Sequence, residues 1–196
     1  MKATITSLIF LLLSLTVSSQ TYKYIGIEEG LSNQKIYKIQ KDARGYMWFL
    51  THVGIDQYNG KEIKHYKLRE GNRELDPLLN INWTFLDKTG TLLVTGKQGR
   101  IFRYDSGHDR FVQIYNMYNY WNKDYHAFVR YSYIDQEDNV WLCGKSAIHL
   151  FNIESGQKQQ ISNRLGNITC IEQINSEHFF IGTDKRIYLA NWKTGI

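Results

Sequence analysis

The sequence predicts an all-β fold, a β-propeller of four-stranded antiparallel blades with about four blades present. Three observations carry that prediction: a motif returning at blade-like spacing, short alternating strands separated by turn residues, and no helical period longer than a turn or two. The composition fits a packed chain. Of 196 residues, 42% are hydrophobic and 14% aromatic, with 15 Gly and one Pro, which excludes a disordered polymer. Two Cys exclude a disulfide-rich scaffold. The 24 basic against 19 acidic residues leave a net charge of +5 without a clustered patch or a base-reading motif, so no nucleic-acid partner is expected.

Taken in chain order, residues 1–20 read as a signal peptide: Lys2 supplies the positive start, 5–17 the apolar stretch, and Ser18 and Ser19 the small residues before cleavage. The apolar run is shorter than the roughly 20 residues that span a bilayer. The mature chain is therefore expected in the periplasm or secreted, without a membrane span. Residues 21–196 are expected to form the propeller repeats, in approximate blades 28–66, 80–115, 128–162 and 167–196. The segment 22–27 alternates like an outer strand, which makes 21–27 a candidate closing strand for the last blade.

Each blade opens on an alternating strand such as Ile36-Tyr37-Lys38-Ile39-Gln40, followed by Asp42-x-x-Gly45. Aspartate caps the local backbone and glycine accepts positive φ, so Asp-x-x-Gly predicts a tight turn. Met47-Trp48-Phe49-Leu50 then reads as a strand buried on both faces, expected to be the inner strand, and Tyr58-Asn59-Gly60 as a hairpin turn. The plan returns at Asp87-x-x-Gly90 and Asp135-x-x-Asp138, 45 and 48 residues on, with Trp141 in the third copy. A weaker fourth copy centres on Phe179-Phe180-Ile181-Gly182-Thr183. Such a period of about 40–50 residues suits propeller blades.

The first copy, Gly30-Leu31-Ser32-Asn33 through Asp42-x-x-Gly45-x-Met47-Trp48-Phe49-x-Thr51-x-x-Gly54-Ile55-x-x-Tyr58-Asn59-Gly60, resembles the two-component regulator propeller repeat. Later copies depart from it: Leu93 and Gly96 replace the Trp and Thr of the second, and Asp138 and Gly144 the Gly and Thr of the third. The resemblance implies the periplasmic sensor region of a hybrid two-component system, which in glycan-degrading bacteria detects oligosaccharides. It implies sensor-kinase domains or a second propeller as partners, and it favours reading this chain as the N-terminal part of such a sensor. A stand-alone interaction propeller and a secreted propeller enzyme, a lyase or glycoside hydrolase, stay open as alternatives.

Catalytic signatures are missing from the sequence. There is no Gly-x-Ser-x-Gly, His-Glu-x-x-His or Cys-x-x-Cys, and Gly144-Lys145-Ser146 lacks the upstream glycine of a phosphate loop. The six His lie without ligand spacing, so no metal and no cofactor are expected. Glu70, Glu74, Asp76, Asp124 and Asp184 show no acid–base pairing. Cys143 and Cys170 sit in apolar strands and read as small buried thiols, an inter-blade bridge being the other reading.

Ligand recognition is expected on the face carrying the long links 67–79 and 116–126. The second link interleaves Tyr118, Tyr120, Trp121 and Tyr125 with amides, a mixture that stacks on sugar rings and bonds their hydroxyls. Packing of these rings over a neighbouring blade is the competing reading. The hairpin tips add His52, Lys97, Lys145 and Lys185, a basic ring suited to an acidic glycan. Four blades fit a closed ring poorly, so exposed blade faces are expected to promote dimerisation.

Overall fold

The computed structural model describes residues 22–120 and 128–191, which fold almost entirely as antiparallel sheet. Blade one comprises β1 (Ile36–Lys41), β2 (Met47–Thr51), β3 (Ile55–Tyr58) and β4 (Ile63–Tyr66). A small hairpin, β5 (Arg69–Glu70) with β6 (Arg73–Glu74), and a helical turn α1 (Pro77–Asn80) fill the first long link. Asp76 starts that turn by accepting from the Leu78 amide, with Pro77 preset in φ at the first helical place. Blade two holds β7 (Trp83–Leu86), β8 (Leu92–Thr95), β9 (Arg100–Asp105) and β10 (Arg110–Asn116). Blade three holds β11 (Tyr131–Ile134), β12 (Asn139–Cys143), β13 (Ala147–Asn152) and β14 (Lys158–Ser162). Blade four has three strands, β15 (Ile168–Gln173), β16 (His178–Thr183) and β17 (Ile187–Asn191).

Successive blades meet through their first strands, β1 against β7, β7 against β11 and β11 against β15. The first strand is therefore the innermost, which corrects the expectation that the Met47–Thr51 strand takes that place. β1 alternates between half-buried and exposed residues, whereas Trp48, Leu50, Val94, Leu142 and Ile181 on the second strands have no exposed surface. An innermost strand lines the channel and stays partly wet, while the second strand is covered by blades on both sides. An apolar run reports burial, not radial position.

Three apolar clusters hold the blades together, one at each junction. Trp48, Leu50, Ile55 and Tyr66 of blade one pack on Leu92, Val94, Phe102 and Tyr104 of blade two. Leu93, Ile101 and Tyr115 pack on Val140, Leu142 and Phe151. Trp141, Cys143, Ile148 and Leu150 pack on Ile168, Ile171, Phe179 and Ile181. Register explains the division: Trp48 pairs across the strands with Gln57 and Leu50 with Ile55, so one face of each sheet looks forward and the other back.

A turn opening on a buried aspartate organises blades one to three. Asp42 is buried; its Oδ1 accepts from the Arg44 and Tyr46 amides, and its Oδ2 accepts the Trp48 indole N–H at 2.9 Å. Asp135 repeats this with Glu137, Asn139 and Trp141, the last also at 2.9 Å. In blade two Leu93 has no indole, and the Arg103 guanidinium lies 2.7 Å from the free oxygen of Asp87. The turns also bond to one another along the arc: Ala43 N–H to the Gly90 carbonyl, Lys88 N–H to the Asp138 carboxylate, and Gln136 N–H to the Gln173 side chain. Gly90 must be glycine for this, because its φ is +74° and a Cβ there falls 2.3 Å from that of Ala43. Asp138 takes the left-handed place of Gly45 with φ 61°.

Two further expectations from sequence are corrected. Residues 22–25 carry no regular structure and 26–30 form a turn, so the closing strand at 21–27 is unformed over the described residues. Its cause is local: Glu29 takes the Gly26 amide, and the Gly30 and Leu31 amides bond back to Ile27 and Gly26. The turn buries Leu31 and delivers Ser32 to Asp56, which accepts both its amide and its hydroxyl. Cys170 is exposed and unbridged, because it lies at a strand irregularity; Cys143 is a buried thiol whose pKa burial pushes up to about 12.

Replacing Trp48 or Trp141 by Ala should destabilise the fold by about 3–5 kcal/mol, since each leaves a large hole at a blade junction and an orphaned carboxylate oxygen. Chemical denaturation measures it; an unchanged midpoint would contradict the packing described. Burial raises the Asp138 carboxyl above the usual carboxylate range, so folding favours its protonated form. That contribution is present below the unfolded pKa and is lost as pH rises through the folded one. Asp138→Asn, which keeps the left-handed turn and the acceptor, should therefore gain thermal stability relative to the parent between about pH 3 and about pH 7.

Candidate functional site

The antiparallel order places the starts of the inner strands, the second-to-third-strand hairpins and the blade-to-blade links at one end of the arc. Hydrogen bonds knit this end together: Val129 N–H to the Lys97 carbonyl, Arg130 N–H to the Cys143 carbonyl and Asp184 N–H to the Asn167 carbonyl. Asn163 stitches the third link by donating to the carbonyls of Gly144 and Gly166, both at 2.8 Å.

Between the tips of blades two, three and four these contacts leave a cleft of about 510 Å³. Trp83 and Tyr131, which open their inner strands, line it, and Phe128, 52% exposed, is a third aromatic residue there. Lys97 and Arg130 bring two exposed cations. The Arg130 guanidinium reaches the Asn167 side-chain oxygen at 3.4 Å, and Thr169 supplies a hydroxyl. Desolvation raises the Tyr131 phenol, which remains a hydrogen-bond donor throughout the neutral range. Flat rings beside fixed donors and two cations can hold a polar ring molecule, most favourably one carrying negative charge.

The residues singled out in the sequence separate. Lys97 lines the cleft. His52, Lys145 and Lys185 sit on the other hairpin tips, and His52 Nδ1 is bonded to the Tyr37 hydroxyl at 2.6 Å. Tyr118 is half-buried against the junction of blades two and three. Tyr120 lies parallel to Tyr115 with centroids 5.6 Å apart, and the Lys158 ammonium sits 4.3 Å above its ring. The Tyr120 ring thus packs towards the outer strands of blades two and three. Trp121 and Tyr125, with Asp124, lie outside the described residues.

Sequence reasoning missed Trp83, Phe128, Arg130 and Asn167. A usable signal exists for three of them: Trp83, Arg130 and Asn167 stand at or just before the first residue of an inner strand, the place that faces the links. The scattered carboxylates are engaged elsewhere, Glu70 with Arg73 and Arg100, Glu74 with Lys67, and Asp76 at the start of α1. Asp56, Ser32 and His65 form a bonded trio, but the carboxylate stands in the middle and accepts from both, so the hydroxyl has no base. No carboxylate is among the described residues that line the cleft.

The sequence profile of the two component regulator propeller matches residues 30–52. No curated protein matches the chain. Among solved structures, the extracellular domain of the hybrid two component system BT4673 from B. thetaiotaomicron is similar with a TM-score of 0.69 at 15% identity, over 89% of this chain and 23% of that one. The corresponding domain of BT3049 from the same organism gives 0.67 at 17%, over 87% and 25%. The dihydro-heme d1 dehydrogenase NirN, in complex with DHE, gives 0.61 at 10%, over 85% and 37%. The chain thus carries a two-component regulator propeller repeat, has the β-propeller fold of those extracellular domains, and spans about a quarter of their length. NirN shows that the fold also carries enzymes, so function rests on the site.

Tyr120→Ala should lower stability by about 0.5–1.5 kcal/mol through loss of the Tyr115 stack. Thermal unfolding of the purified variant checks this; an unchanged transition would free the ring for recognition instead.

Proposed function

We propose that the chain is the ligand-recognition propeller of an exported sensor, without catalysis of its own, and that the cleft at the tips of blades two to four takes an acidic oligosaccharide. The lining carries the reading: three rings, two cations and an amide converge on one opening with no carboxylate among them. Rings stack on the apolar faces of sugars, the amide and hydroxyls meet sugar hydroxyls, and Lys97 and Arg130 attract a uronate or sulfate. Rigid blades hold these groups in place before the ligand arrives, which limits the entropy lost on binding. The likeness to extracellular sensor domains supports export, with residues 1–20 as the signal peptide, and it supports sensor-kinase domains or a second propeller as partners. Among the described residues no helix is long and apolar enough to cross a membrane.

Calorimetric titration with neutral and uronate-containing oligosaccharides tests the proposal. The acidic ligands should bind more tightly, and Phe128→Ala and Arg130→Ala should each weaken them roughly tenfold, about 1.4 kcal/mol. Both side chains are exposed, so thermal stability should hold. Absence of heat with every sugar, or unchanged affinity in both variants, would overturn the assignment.

A further inference from the structure

A second concave surface lies on the outer rim, where the last strand of blade one faces the last strand of blade two, and it shares no residue with the cleft. β4 and β10 each end their sheet, so each turns one edge of main-chain donors and acceptors away from it. Between them runs a groove of about 560 Å³, with Lys64 and Tyr66 on one wall, Phe111 and Gln113 on the other, and Arg69 brought in by the β5–β6 hairpin. Both walls belong to blades one and two and the link between them, which are described without a break. β10 pairs regularly from Arg110 to Gln113 before its register shifts, and β4 has the same four residues of length.

The groove is held open from within. Asp109 takes a left-handed φ of 51° in the β9–β10 hairpin, and its carboxylate accepts the phenols of Tyr66 and Tyr104, both at 2.6 Å. One side chain of blade two thereby holds a strand of each blade. Tyr66 and Phe111, one from each wall, meet edge to face with centroids 5.7 Å apart, so the two edges keep a set spacing and little order is lost when a ligand enters. Charge then selects the ligand. Asp109 is paired with Lys64, and Glu70 with Arg73 and Arg100, so both carboxylates of the groove are engaged. Arg69 and Arg110 are exposed and have no ion pair or hydrogen bond among the described residues. Their guanidinium forks match carboxylates, and cations beside a strand edge deter apolar and basic strands while admitting an acidic one. A row of main-chain groups repeating at about 3.3 Å matches another extended main chain better than the irregular hydroxyls of a glycan.

We propose that the rim groove binds an acidic peptide segment in extended form, added as a strand beside β10 with its carboxylates on Arg69 and Arg110. The assignment stands apart from the reading of the cleft. Fluorescence anisotropy on the purified chain with a labelled peptide of alternating Glu and Thr tests it. The peptide should bind, and less tightly as salt rises. Arg69→Glu and Arg110→Glu should each weaken it at least about tenfold while thermal unfolding holds, because both side chains are exposed. Arg164→Glu, the same charge change at an exposed place in the link after blade three, should leave the affinity within about twofold. A peptide N-methylated at alternate residues keeps its charge but loses those N–H donors, and should bind at least about tenfold more weakly. A uronate oligosaccharide should not displace the peptide. No binding, an affinity unchanged in both arginine variants, an N-methylated peptide that binds as tightly as its parent, or displacement by the oligosaccharide would each overturn the inference.

Discussion

The structure depends on one buried contact, the carboxylate of the Asp-x-x-Gly turn accepting from its own turn amides and from the indole six residues on. Burying a carboxylate costs several kcal/mol unless its lone pairs are met, and here they are met locally. The bond fixes the tilt of Trp48 and Trp141, and those rings project onto the following blade. A turn between two strands is thereby tied to the packing of two sheets. Blade two shows that the requirement lies with the carboxylate: with Leu93 in place of the indole, Arg103 moves to the vacant oxygen of Asp87.

Much of this was legible in the sequence because it is local. Asp, Gly and Trp at set offsets name a turn and the strand after it, and period-two alternation names the strands. What was not legible depends on distant partners. Apolarity showed that the Met47–Thr51 strand is buried but not that a wetter strand lies inside it. The alternation at 22–27 is that of a strand, but Gly26, Glu29 and Gly30 close a turn there, and no neighbour overrules it. The aromatic link was read for its composition, yet Tyr120 stacks on Tyr115, a residue whose position only the fold supplies.

The cleft follows the same rule. Trp83, Lys97, Phe128, Arg130 and Asn167 come from three blades, and their approach is set by backbone bonds among links and hairpin tips. Strands supply rigidity and the links supply chemistry, so a cleft of new specificity needs only new residues at the inner-strand starts. This separation is why the β-propeller fold alone identifies no ligand.

Each apolar cluster lies between one pair of blades and none joins all four, which makes the described arc a row of nearest neighbours. Free energy in such a row is a sum over junctions, not a property of one shared core. Among the described residues blades two and three have a junction on either side, so β8 and β12 are the strands covered on both faces. The same arithmetic bears on descent: duplicating or losing a whole repeat creates or removes a single junction and leaves the others as they were, a step that a protein with one central core does not have.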